Sequence, residues 1–153
     1  MKNYKIYLAS PWFNNIQAER EERVKNKLRK LGFNVWSPKE NSDLSPIESQ
    51  ELREKIFSDN LREMDNCDII FVITDEKDMG TIWEAGYAYG TRKILKKQEP
   101  IIIYYCETLG DGMFNLMLAQ SGDIVITNFK NLDILPRLIK IGEKLAYDGI
   151  IEW

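Results

Sequence analysis

The stretch DEKDMGTIWEAGYAYG, residues 75–90, crowds Asp75, Glu76, Asp78 and Glu84 into one connection. The chain contains no histidine. That removes Ser-His-Asp and Cys-His nucleophile systems and most zinc sites. Two cysteines, Cys67 and Cys106, argue against a thiolate metal site. Acid–base chemistry must then rest on carboxylates, tyrosines, lysines or bound water, with an oxygen-ligated magnesium ion left open. Asp75 and Glu76 read as charges in a solvated loop. Asp78 and Glu84 differ, because apolar and aromatic residues flank them. Glu84 lies near the start of an expected helix, between Trp83 and Ala85-Gly86. The helix dipole there favours its ionised form, whereas burial opposes it. An ionised but poorly hydrated carboxylate suits a nucleophile or a stabiliser of an oxocarbenium-like transition state, as in glycosyl transfer. The plainer reading is an exposed glutamate in an early helical turn. Trp12 and Phe13 stand in a polar loop and offer a flat wall for a nucleobase or a sugar face. Tyr7, taken alone, reads as core.

The elements that must position these groups follow from hydrophobic periodicity. Apolar runs YKIYLAS, FNVWSP, DIIFVIT, PIIIYYC and DIVITN predict five strands. Between them lie helical patterns: IQAEREERVKNKLRKLGF, with apolar spacing at Ile16, Val24, Leu28 and Leu31; a long helix to about Met64; residues 79–90; and the short MFNLMLAQSG. A last helix, LDILPRLIKIGEKLAY, follows the fifth strand. Segment KENSDLSP reads as a loop, and Ser45-Pro46-Ile47-Glu48 as a helix cap with proline at the first helical position. Strict alternation implies a flavodoxin-like, doubly wound α/β fold with a five-stranded parallel sheet of order 2-1-3-4-5. In that order ligands bind at the carboxyl ends of the first and third strands. The loops there are Ser10 to Asn15 and Asp75 to Glu84, so topology alone puts Glu84 in the expected crevice.

Other sites on this topology are excluded. The first loop lacks the glycines a phosphate loop needs. GYAYGTRK resembles the end of a P-loop but falls inside a helix, so the Gly86–Gly90 pair reads as a close-packing face. A phosphoacceptor receiver needs acids at the end of the first strand, which here reads LASPW.

At 153 residues, 44% hydrophobic and 29% charged, the chain fits one globular domain over residues 1–153. No apolar run could span a bilayer, and none resembles a signal peptide. A net charge of −3 argues against nucleic-acid and membrane-surface partners. Two cysteines make no disulfide framework, which points to a reducing cytoplasm.

IYLASPWF, NCDIIFVITDEKDMGTIWEAGYAYG and NLMLAQSGD, in that order, resemble nucleoside 2-deoxyribosyltransferases. The resemblance spans essentially the whole chain. It implies retaining transfer of a 2-deoxyribosyl group between nucleobases by double displacement, with no cofactor and no metal. Glu84 matches the nucleophile that holds the sugar covalently, and Tyr7 the tyrosine that orients it. Trp12 and Phe13 match an aromatic wall, and Asp78 and Gly80 match substrate-binding positions. Asn115 and Met117 match residues lent to a neighbouring subunit's pocket, which implies a homo-oligomer acting on 2′-deoxynucleosides and free nucleobases. The chain departs from the pattern at Asn60, where the family carries an aspartate that contacts and protonates the base. Asn60 can hydrogen-bond a base but cannot act as an acid; Asp59, one residue earlier, is the alternative acid. Asn41 is the nearest match to a base-contacting glutamine, and Trp153 resembles a final aromatic residue that reaches the site. Two further readings are a 2′-deoxynucleoside 5′-phosphate N-hydrolase, with Ser10 and Ser121 as phosphate contacts, and a non-catalytic nucleoside-sensing domain.

Overall fold

Side chains alternate across each strand of a sheet, so a single strand supplies two different cores. In the computed structural model, which describes residues 2–42 and 49–153, strand β1 (Lys5–Ala9) divides in this way. Ile6 and Leu8 join Val24, Leu28, Phe71, Leu135 and Leu138 on one face. Tyr7 and Ala9 join Met64, Ile70, Val72, Ala85 and Ala88 on the other. The remaining sheet strands are β2 (Asn34–Trp36), β3 (Ile69–Ile73), β4 (Ile101–Tyr105) and β6 (Ile124–Ile126). All pair in parallel in the order β2-β1-β3-β4-β6, the flavodoxin-like arrangement. Every residue of β3 is buried, as a central strand covered on both sides requires.

Helices α1 (Asn15–Lys30) and α6 (Leu135–Ile141) cover the first face. Helices α3 (Gln50–Asp65), α4 (Met79–Ile94) and α5 (Leu116–Ser121) contribute to the second. Tyr7 therefore faces the helices that carry the candidate carboxylates. Asn14 caps α1 by accepting from the Gln17 amide, and Gly32 takes the left-handed turn after it (φ +92).

Several local expectations are corrected. Ile16 points outward, 65% exposed, and the inner face of α1 instead carries Gln17, Arg20, Glu21 and Lys25 beside Val24 and Leu28. Part of the expected loop after Pro38 is a short helix, α2 (Pro38–Asn41). The anticipated cap at Ser45-Pro46-Ile47-Glu48 lies outside the described residues; Ser49 caps α3, its hydroxyl accepting from the Leu52 amide at 3.1 Å. The last helix is shorter than the pattern suggested: a 3₁₀ segment, Phe129–Ile134, leads into α6, and Gly142 ends it in a left-handed turn. An unforeseen second sheet pairs β5 (Phe114–Asn115) in parallel with β7 (Ile151–Glu152). Gly86 and Gly90 are not a packing face within the chain, since a Cβ at either would meet nothing within 4 Å. Among the described residues no helix is long and apolar enough to cross a membrane.

Candidate active site

Register and helix phase bring Tyr7 and Glu84 together. Tyr7 is fully buried at the middle of β1, and Glu84 lies in the second turn of α4. The Tyr7 hydroxyl donates to Glu84 Oε1 at 2.6 Å, the length of a charge-assisted bond. Burial pushes the Glu84 carboxyl up to about 7; the tyrosine hydrogen bond opposes this, and the nearby charge of Asp78 adds to it. Burial and the adjacent Glu84 charge raise the Tyr7 phenol as well, so it stays protonated and remains a donor. Desolvation thus outweighs the tyrosine hydrogen bond at Glu84.

Asp78 caps α4, its Oδ2 accepting from the Thr81 amide at 2.8 Å. Gly80 lets that carboxylate sit close, for a Cβ there would meet Asp78 Oδ2 at 3.3 Å. The preceding turn is solvated at Glu76, as the sequence suggested, but not at Asp75. Asp75 is 1% exposed and accepts from the amides of Thr108 at 2.8 Å and Glu107 at 3.3 Å. Glu76 reaches back to α1 through Gln17 and Arg20. In the loop after β1, Trp12 and Phe13 pair with centroids 5.6 Å apart, and Phe13 is 72% exposed.

On the other side of Tyr7, the Trp36 ring stacks at 5.2 Å with a 23° tilt. Trp36 also walls a cavity of about 200 Å³ together with Asn41, Lys55, Asp59 and Asn60. This places Asn60 one aromatic ring from Tyr7. Asp59 is gripped by Lys55 at 2.6 Å and Arg62 at 2.8 Å, and these cations hold its carboxyl below the usual range. That is the opposite of what a general acid at neutral pH needs. Asn115 and Met117 do not converge on Glu84 within one chain. They line a separate cavity of about 430 Å³ with Lys77, Ile82, Cys106 and Glu152. Asn115 Oδ1 caps α5, and Met117 is 73% exposed.

The family model for nucleoside 2-deoxyribosyltransferase matches residues 6–131. The chain belongs to the nucleoside 2-deoxyribosyltransferase family. Among solved structures it is similar to the 2-deoxyribosyltransferase of the psychrotolerant bacterium Bacillus psychrosaccharolyticus. The two are 32% identical, with 94% of this chain and 98% of that one covered and a TM-score of 0.76. Two more distant structures share the fold at 18% identity. A 2-desoxiribosyltransferase from Leishmania mexicana gives a TM-score of 0.57, covering 90% of this chain and 97% of that one. A conserved protein from Enterococcus faecalis V583 gives 0.55, covering 94% and 80%. A search of curated proteins found no match.

In this deoxyribosyltransferase-family chain, sequence reasoning missed Trp36 and Gln17. Trp36 was legible in principle, because in a parallel pair with β1 it stands opposite Tyr7 on the same face. Gln17 was not, since a polar residue in the first turn of a helix normally faces water.

Proposed function

We propose that the protein is a pentosyltransferase that moves the 2-deoxyribosyl group between nucleobases by a retaining double displacement. The observation that carries this reading is the 2.6 Å bond from Tyr7 to a Glu84 carboxylate largely withdrawn from water. In the first step a Glu84 oxygen attacks the anomeric carbon and the glycosidic C–N bond breaks. Its electron pair leaves with the base, which takes up a proton. In the second step a nitrogen of the incoming base attacks the same carbon, gives up its proton and releases the Glu84 carboxylate. Two inversions return the β configuration. The Tyr7 donor holds the attacking carboxylate in place and favours its ionised form.

Trp12 and Phe13 supply the stacking wall, Asp78 and Gly80 the sugar end, and Asn60 an amide contact to the base. With Asp59 held ionised and Asn60 carrying no acidic proton, the departing base is protonated from water. Asn115 and Met117 complete a neighbouring copy's pocket in a homo-oligomer, in keeping with the exposure of Met117. The two unpaired, buried thiols fit a reducing cytoplasm, and the whole of residues 1–153 serves as one catalytic domain in nucleoside salvage. The serines that a 5′-phosphate hydrolase would use are engaged internally: Ser10 donates to the Pro11 carbonyl at 3.0 Å, and Ser121 lies 2.9 Å from the Tyr104 hydroxyl.

Deoxyinosine and adenine test the reading. Transfer yields deoxyadenosine, hydrolysis yields hypoxanthine with free sugar, and a sensing domain yields neither. A 2-fluoro-2-deoxyribosyl donor should leave its sugar on the peptide containing Glu84, and an adduct elsewhere would remove Glu84 as the nucleophile.

A further inference from the structure

The reaction above makes no use of the polar atoms that join the two loops bounding the crevice. The loop after β3 contains Glu76 at φ 67 and Lys77 at φ 51, consecutive residues in the left-handed region with no glycine between them. Side chains with a Cβ avoid that region, so such a turn persists where surrounding contacts over-determine it. Here those contacts come from the first turns of α1. Glu76 Oε2 accepts from Gln17 Nε2 at 2.6 Å and from Asn14 Nδ2 at 3.4 Å, and Glu76 Oε1 accepts from Arg20 Nη1 at 3.2 Å. The other end of Gln17 is also engaged: its Oε1 accepts from the Phe13 backbone amide at 2.8 Å. One amide side chain, 9% exposed, therefore grips the aromatic loop with its oxygen and the Asp78 loop with its nitrogen. Arg20 adds a tie to Glu107 at 2.9 Å, which fixes the same turn to the end of β4.

We propose that Gln17 and Glu76 are positioning residues for the deoxyribosyl site. The relay from the Phe13 amide through Gln17 to Glu76 sets the distance between the Trp12–Phe13 wall and the Asp78 end of α4, and with it the fit of the nucleoside. The relay touches no reacting atom. The substrate in this statement rests on the transferase reading, whereas the bracing of the two loops does not.

A polarity swap separates positioning from mere folding. Gln17→Glu alone sets two carboxylates against each other, and Glu76→Gln alone sets two amides against each other. In the double variant the relay returns: the new carboxylate at position 17 accepts from the Phe13 amide and from the new amide at 76, whose oxygen still accepts from Arg20, and only the long 3.4 Å bond from Asn14 is lost. In deoxyinosine-to-adenine transfer, each single variant should raise KM for deoxyinosine about tenfold while kcat stays within about threefold. Amide hydrogen exchange at Phe13 should quicken in both single variants. The double variant should restore KM and exchange together, with thermal midpoints similar throughout. Singles with unchanged KM, losses that simply follow the thermal midpoint, or a double variant no better than the worse single would each overturn the proposal. Should the wild type transfer nothing, the function proposed above fails. Exchange at Phe13, with calorimetric affinity for 2′-deoxyadenosine, then decides the relay by itself: an unchanged pattern in the single variants overturns it, and a swap-restored pattern upholds it.

Discussion

Glu84 and Tyr7 form a pair whose chemistry is written in its pH dependence. The free protein holds the Glu84 carboxyl near 7 by burial, so the ionised nucleophile should be lost on acidification, and kcat/KM should fall as pH drops through about 7. Tyr7 lowers that value by donating to the carboxylate. Tyr7→Phe should therefore move the acidic limb of the pH–rate profile upward as well as reduce kcat. A profile whose limb stays put would show that the hydroxyl does not act through Glu84. The same burial carries a stability cost with a definite sign. The folded carboxyl binds its proton more tightly than the unfolded one, so between about 4.5 and 7 folding takes up a proton and stability falls as pH rises. Glu84→Gln keeps the acceptor for Tyr7 and removes the charge. It should stabilise the protein at pH 8, by at most about 3 kcal/mol, and change little near pH 4. Thermal unfolding at the two values measures both arms. The sequence made Glu84 a candidate through topology and through the lack of histidine. It could not show that burial would raise the carboxyl, because that balance depends on Tyr7, on Asp78 and on how deeply α4 packs against the sheet.

At the scale of elements, α1 shows where periodicity loses its force. Val24 and Leu28 were legible as its inner face, but the same face holds Glu21 and Lys25, both fully buried. Lys25 Nζ meets Glu22 at 2.7 Å, Glu40 at 3.0 Å and Glu21 at 3.4 Å. Glu21 also accepts from the Ser37 hydroxyl at 2.7 Å and pairs with Lys39 at 3.3 Å. With Arg29, whose two bonds to Glu40 hold that carboxyl down at about 2, these contacts lock α2 against α1. Asn41 is thereby fixed in the wall of the cavity beside Asn60. Lys25→Met should cost about 1–3 kcal/mol in chemical denaturation, because it removes one of the two cations that face the buried Glu21 carboxylate and leaves Lys39 alone with it; adding Glu21→Gln should recover part of that loss. Equal stability in the single variant would mean that the carboxylates find water. Helix α5 offers a second test. A Cβ at Gly122 would sit 2.7 Å from the Tyr104 ring and 3.3 Å from the Leu118 carbonyl. Gly122→Ala should therefore destabilise the protein by about 1–3 kcal/mol, read as a lower thermal midpoint, and displace the helix that begins beside Asn115 and Met117. The strands were readable because a five-residue run of buried β-branched and aromatic side chains has few other uses. The 75–78 turn was not, because its conformation depends on partners far away in the chain.

For the whole molecule, large apolar side chains gather on the side of α3, α4 and α5. Phe57, Met79, Trp83 and Met117 are each more than half exposed, and the Trp83 ring contacts Phe57 and stacks on Tyr87. Apolar surface of this extent signals association. Sedimentation should accordingly show a multiple of the chain mass, and Trp83→Lys should shift the protein toward the monomer with loss of transfer activity. A fully active monomer would rule out the lending of Asn115 and Met117. The sheet order and the matched motifs were open to reading from one chain. The proposed sharing of a pocket between copies came only from the resemblance, because no pattern within one chain encodes its neighbour's position.

The alternation along β1 has a practical corollary for anyone wishing to improve this protein as a catalyst. Tyr7 looks toward α3 and α4, where the candidate chemistry lies, while Ile6 and Leu8 look toward α1 and α6. Repacking Leu135, Leu138 and Ile139 against the far side of the sheet should adjust heat tolerance while the range of accepted nucleosides stays as it was. A library confined to α6 could then be screened for durability alone, with choice among bases engineered separately around Trp36, Asn41 and Asn60.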